Sequence, residues 1–209
     1  MTPGLPEKLS AALQPFIPGD AVPLAVDFII QHRVQLTVTR GRATKLGDYR
    51  HPYLGEGHRV TVNGTLNPYA FLVTLVHEFA HLTTWEAHKN GVKPHGSEWK
   101  NQFTQLMKPY LTETIFPTAL LEVLYQYYKN PRASSCADPE LMRELANYDK
   151  KRDNYDFLEE LPEGAVFMTR QRRYFKKGEK RRTRFLCHEL STRRAYLFHP
   201  LTPVQEQKE

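Results

Sequence analysis

His77 and His81 stand four residues apart, with Glu78 beside the first, in the run TLVHEFAHLTTWEAH. On a helix, positions i and i+4 share a face about one turn apart, so the two imidazoles can converge on one metal ion. Glu78 then projects one residue further round. There it can take a proton from a water activated by the ion without ligating the ion itself. This is the pattern of metal-assisted hydrolysis. The helix around the motif is otherwise apolar, and ionisable groups are costly to bury there unless they act together.

A hydrolytic zinc needs a third protein ligand and one position left for water. His88 follows His81 by seven residues on nearly the same face. It would lie about 10 Å along the axis, too far for bonds of about 2.1 Å, and reads as a surface or supporting residue. The longer HExxHxxGxxH pattern is not met, because Thr84 occupies the glycine position and Ala87 the last histidine. His95 is better placed. Asn90-Gly91 lets the chain turn back, and Pro94-His95-Gly96 presents a constrained histidine at the start of the next helix. Glu98 competes as a carboxylate ligand on that helix. The spacing favours His95 and leaves Glu98 as a capping or supporting group.

The elements that must position these residues are legible from periodicity. Helices are expected over 5–14 and 20–32, and a half-buried strand over 34–39, where Val34, Leu36 and Val38 alternate with polar residues. Short strands are expected near 44–50 and 59–63, separated by the Gly55-Glu56-Gly57 turn. Asn67-Pro68 opens the motif helix as N-cap and first helical residue, and the helix runs to about Lys89. A helix over 98–108 carries Trp99, Phe103, Leu106 and Met107 as a core stripe. Residues 118–129 read as helical, and Asp138-Pro139 opens one short helix within a polar connector.

Composition fits a water-soluble globular protein, with 40% hydrophobic and 25% charged residues. No apolar run reaches the length of a membrane span, and the first residues lack a secretory pattern. A cytoplasmic protein, free or associated with the nucleoid, is expected, with Cys136 and Cys187 as idle thiols in preference to one disulfide. The net charge is +6, but residues 164–199 hold eleven Lys/Arg against two acids, a net of +9 that leaves −3 for the rest. This basic segment reads as antiparallel strands (AVFMTR, RTRFLCHEL, RAYLF), with the last half-dozen residues frayed. Arg172, Arg173, Lys176, Lys177, Lys180, Arg181, Arg182 and Arg184 are candidate nucleic-acid contacts, interleaved with Tyr174, Phe175 and Phe185. Cations pair with phosphates and exposed aromatics stack on unpaired bases, which favours single-stranded DNA as a partner. The same aromatics on alternating strand positions fit equally well as the core of the segment. Cys187 and His188 are adjacent and are not read as ligands.

HEFAH, thirteen further residues and HGSEWK, with HRVTVNGTLNP leading into the motif helix, resemble the SprT-like metallopeptidases, which include the Spartan proteases acting on DNA–protein crosslinks. The likeness covers about residues 20–110. It implies an α+β, zincin-like catalytic domain with the HExxH helix and a small antiparallel sheet. It also implies one Zn²⁺ held by His77, His81 and His95, and Glu78 as general base. Many relatives end in a four-cysteine zinc ribbon, and this chain has no CxxC pair. The expected organisation is a metallopeptidase domain over 1–130, a connector over 131–161 and a basic β-rich module over 162–209. The expected activity is endopeptidase cleavage of DNA-associated or DNA-crosslinked proteins. The rivals are a nucleic-acid-binding protein with a structural or vestigial zinc, and a peptidase indifferent to DNA. An extended substrate is expected to add to the strand over 58–63, and an oxyanion-stabilising Tyr, His or Arg to lie within 49–59.

Overall fold

In a computed structural model, residues 4–40, 45–131, 138–149 and 155–207 are described. The chain divides into two units, Met1–Tyr148 and Asp149–Glu209. Each has its own apolar core. Cys136 lies outside the described residues.

In the first unit, α1 (Leu5–Leu13) and α2 (Val22–Gln31) precede a three-stranded sheet of β1 (Gln35–Thr39), β2 (Gly47–Arg50) and β3 (Arg59–Asn63). The strand order is β1-β3-β2. The antiparallel expectation holds for one pairing only: β2 runs antiparallel to β3, whereas β1 runs parallel to it, with Leu36 opposite Val60 and Val38 opposite Val62. Parallel neighbours need a crossover. The connection from β1 to β3 passes through β2, which lies on the far edge.

The motif helix α3 (Pro68–His88) is capped by Asn67, whose Oδ1 accepts from the Ala70 amide at 2.9 Å. Its residues are buried on almost every side from Ala70 to Leu82, which makes it the central helix of the core. Next come α4 (Ser97–Met107), α5 (Thr118–Lys129) and α6 (Pro139–Ala146). Trp99, Phe103 and Met107 of α4 are buried, and Leu106 packs partly buried against the same core. Asp138 caps α6, accepting from the Leu141 amide at 3.1 Å. The polar composition around α6 hides an i, i+4 pair, Leu141 and Leu145, which is buried in the first core. Asn67 Nδ2 also donates to the Leu145 carbonyl at 2.8 Å, tying α6 to the start of α3. The segment read as a connector thus gives the first unit a core helix.

The second unit is a six-stranded antiparallel sheet, ordered β4-β9-β5-β6-β7-β8. Its strands are β4 (Asp156–Phe157), β5 (Val166–Met168), β6 (Tyr174–Arg181), β7 (Arg184–Glu189), β8 (Ala195–Phe198) and β9 (Pro203–Glu206). The chain end is not frayed at Val204–Glu206, because β9 pairs with both β4 and β5 and buries Val204. The longest strand, β6, was hidden by its charge: one face alternates Phe175 with Lys177, and both are buried. A register shift follows Lys177, where a Cβ on Gly178 would meet the Leu186 carbonyl at 2.5 Å. Cys187 is a buried free thiol, pushed up in pKa by that burial.

Candidate metal centre

His77 and His81 project from α3, and His95 stands just before α4. The three Nε2 atoms form a triangle with sides of 3.2, 3.0 and 3.2 Å. A tetrahedral ion with metal–nitrogen bonds of about 2.0–2.1 Å needs nitrogens roughly 3.3 Å apart, so the triangle is one face of such a site, slightly contracted. Three neutral imidazoles that turn ring nitrogens on one another cannot satisfy all three by mutual hydrogen bonds, since each nitrogen is either donor or acceptor. A shared cation resolves that conflict.

The electrostatics keep the ligating form. Burial first, then the neighbouring His81 and His95, push the pKa of His77 down to about 3. Burial and His95 push His81 down to about 4, and burial lowers His95. All three are therefore neutral at physiological pH, as metal binding requires.

His95 takes a left-handed backbone conformation, φ +57°. That conformation is uncommon for a residue with a Cβ, although histidine is among the types that tolerate it. It turns the imidazole back toward α3. Trp99, fully buried, lies beneath the cluster, with its ring centroid 4.6, 5.5 and 4.8 Å from those of His77, His81 and His95.

Among the described residues this is the group of three that can share an ion, and Glu98 and His88 lie outside it. Glu98 is turned to the start of its own helix, where it accepts from Ser97 Oγ at 3.1 Å and from its own backbone amide. His88 is exposed at the end of α3.

Glu78 is 6% exposed. Burial, then the Asp48 carboxylate, push its pKa up to about 8; a divalent cation beside it would act in the opposite direction. Strand β2 passes directly over it. A Cβ on Gly47 would lie 2.9 Å from both Glu78 Cγ and Thr74 Cγ2, so only glycine lets the strand approach this closely. Nothing in the sequence marks Gly47 as special.

Two residues along the same face of β2, Tyr49 lines a cleft of about 330 Å³ together with His81, His95, Trp85 and Trp99. Its hydroxyl lies 2.9 Å from His58 Nδ1. His58 Nε2 faces Glu86 Oε1 at 3.5 Å, and His32 Nδ1 meets Glu86 Oε2 at 2.9 Å. Burial raises the Tyr49 pKa, with the Glu86 charge acting in the same sense. The segment 58–63, expected to receive a substrate, contains β3, which is paired on both sides by β1 and β2 and has no free edge. The edge strand beside Glu78 is β2.

The basic candidates divide in the second unit. Arg172, Lys176, Lys180, Arg181, Arg182 and Arg184 are exposed. The last four surround the two-residue turn between β6 and β7, with Arg182 at φ +51° and Arg181 paired opposite Arg184. Like charges directly across a sheet are unfavourable until an anion neutralises them. Arg181 is also bound to exposed Glu179 at 2.9 Å.

Two candidates are committed inside the module instead. Lys177 is buried, with its ammonium donating to the carbonyls of Leu161 and Glu159 and lying over the Phe185 ring. Arg173 donates to Glu189 at 2.7 Å and to Tyr196 Oη at 2.8 Å. Of the aromatics, Phe175 is core, Phe185 is half-buried and Tyr174 is 44% exposed.

No helix among the described residues is long and apolar enough to cross a membrane. No curated protein and no solved structure matches the chain. The model of the SprT-like family matches residues 25–119, from within α2 to the start of α5. That stretch, which is similar to the SprT-like family, holds all three histidines and Glu78.

Proposed function

We propose that this protein is a zinc-dependent endopeptidase of zincin type that acts on DNA-associated or DNA-crosslinked proteins. The observation that carries the peptidase reading is the Nε2 triangle of His77, His81 and His95, with the buried carboxyl of Glu78 one residue from the first ligand. A structural metal site has no use for that carboxyl. Zinc held there would supply Lewis acidity toward water and the scissile carbonyl. Glu78 accepts the proton of the attacking water on a carboxylate oxygen and delivers it to the nitrogen of the departing amine. The free edge of β2 offers backbone groups to an extended substrate segment, and the bare backbone of Gly47 keeps that edge close to Glu78.

Support for the DNA part comes from the exposed cations around the β6–β7 turn, where the opposed Arg181 and Arg184 favour an anionic partner. The test is direct. Purified protein should carry about one zinc per chain, and Glu78→Gln should keep the zinc and the fold while losing nearly all cleavage of a DNA-binding protein in the presence of single-stranded DNA. Zinc and DNA binding without any cleavage in the parent would leave a nucleic-acid-binding protein with a structural metal. Cleavage indifferent to DNA would leave a general peptidase.

A further inference from the structure

Peptide hydrolysis builds negative charge on the scissile carbonyl oxygen, and none of the groups assigned so far donates a hydrogen bond to it. The three histidines are turned to the metal, and Glu78 handles protons of water and amine. A buried, preorganised donor beside the reacting carbonyl is commonly the largest single contribution to such catalysis. The segment 49–59 offers Tyr49, Arg50, His51, Tyr53, His58 and Arg59 as candidates.

The structure ranks them. Arg50 is exposed and engages Asp48 at 3.2 Å. Tyr53 is 64% exposed, in the turn beyond β2. Arg59 is engaged by Glu56. His51 stacks on Trp85 at 5.2 Å and its Nδ1 lies 3.1 Å from the Pro52 carbonyl oxygen. His58 stands behind Tyr49. Tyr49 alone of the six lines the cleft shared with His81 and His95. It is also on the strand face that lays Gly47 against Glu78, two residues away. One strand face thus lies against Glu78 of α3 through Gly47 and presents a phenol to the cleft of His81 and His95 through Tyr49.

We infer that Tyr49 is the catalytic hydrogen-bond donor to the carbonyl oxygen of the tetrahedral intermediate, with His58 and Glu86 as positioning residues. This rests on the peptidase reading above. Glu86 is shared by His32 and His58, and its carboxylate favours the proton of neutral His58 on Nε2. Nδ1 is then the acceptor, and the Tyr49 hydroxyl donates to it in the resting protein. That bond holds the phenol in the cleft wall at no charge. Rotation of the hydroxyl about its C–O bond re-aims the same proton at the substrate oxygen as charge develops there. In the overall step, water oxygen bonds to the carbonyl carbon, the carbon–nitrogen bond breaks, and Glu78 carries the proton between them. Tyr49 keeps its proton throughout. The elevated Tyr49 pKa is consistent with a donor that does not ionise.

The test uses the full-length zinc-loaded protein and a pool of internally quenched peptides. Tyr49→Phe keeps the ring and removes the hydroxyl. It should lower kcat about 10²- to 10³-fold, as loss of one oxyanion donor does, with KM and zinc content near the parent values. His58→Ala should lower kcat by a smaller factor. The double variant should be no slower than Tyr49→Phe, because His58 acts through the hydroxyl. A second readout needs no metal: in nitrogen-15 spectra of the metal-free protein, His58 should carry its proton on Nε2, and Tyr49→Phe should shift the Nδ1 resonance. A Tyr49→Phe variant that cleaves as fast as a competent parent would overturn the role of Tyr49, and an unmoved His58 resonance would overturn the bond through which His58 positions it. Additive losses in the double variant would remove the positioning role of His58. A parent that cleaves no peptide would instead overturn the peptidase reading, and the role of Tyr49 with it.

Discussion

His95 joins the candidate metal centre with its backbone at φ +57°. A left-handed conformation costs a residue with a Cβ about 1–2 kcal/mol, and glycine avoids that cost. Strain of this kind at a functional position implies that the side chain returns something the backbone alone does not. His95→Gly separates the two effects. Metal-free His95→Gly should melt at a temperature close to that of the metal-free parent, because relief of strain offsets the lost packing on Trp99. Its metal content should fall sharply, because two histidines remain where three are needed. Glu98→Ala should keep the parent metal content, since that carboxylate faces its own helix start. Metal analysis after dialysis checks both, and equal metal in His95→Gly and the parent would refute the ligand assignment.

At the scale of elements, β2 is a short edge strand whose glycine closes on α3. A methyl group at position 47 must displace the Glu78 side chain and meets Thr74 Cγ2 at 2.9 Å, so the carboxyl moves or the strand lifts off the helix. Misplacing a catalytic group by about 1 Å can cost on the order of 100-fold in rate. Gly47→Ala is therefore expected to lower kcat by about 10- to 100-fold with metal content unchanged. Steady-state kinetics alongside metal analysis would show this.

The β6–β8 sheet makes a different kind of statement. Arg173, and after it Thr192, hold the Glu189 carboxyl down at about 2, against an ordinary 4.5. A carboxyl depressed in the folded state contributes stability above about pH 4.5 and loses it as pH falls toward 2. Amides of β6 and β7 should accordingly lose exchange protection across that window in the parent. Arg173→Met should lower protection at pH 7 and flatten the acid loss. Hydrogen exchange corrected for intrinsic rates measures both.

Across the whole molecule, charge and chemistry are assigned to different units. The three-histidine cluster lies in Met1–Tyr148, and the net of +9 in residues 164–199 lies in Asp149–Glu209. Binding carried by phosphate contacts releases counterions and weakens steeply with salt. Changing Arg181, Arg182 and Arg184 together to Ser should weaken single-stranded DNA binding and flatten its salt dependence. Cleavage of a DNA-bound protein should slow while cleavage of a short free peptide stays at the parent rate. Filter binding at several salt concentrations, with the two cleavage assays in parallel, reads this out. Arg173 and Lys177 are poor choices for that experiment, because their loss disrupts the sheet itself.

What can be read along the chain is what a few neighbouring residues settle among themselves. The i, i+4 spacing of His77 and His81, the Asn67 and Asp138 caps, the alternation before Thr39 and the basic run after Gly164 are all local, and each stands in the structure where its spacing puts it. Other decisions belong to long-range pairing and to which face of each element is buried. These bring His95 rather than Glu98 beside His77 and His81, put β3 in the middle of its sheet and β2 at the edge, and set Gly47 against Glu78. They also single out Tyr49 among six candidates and turn Lys177 inward while Lys176 faces out. A one-residue step on a strand reverses its face, and a turn of three or four residues can aim an imidazole either way. Sequence spacing limits such choices, and only the packed core makes them.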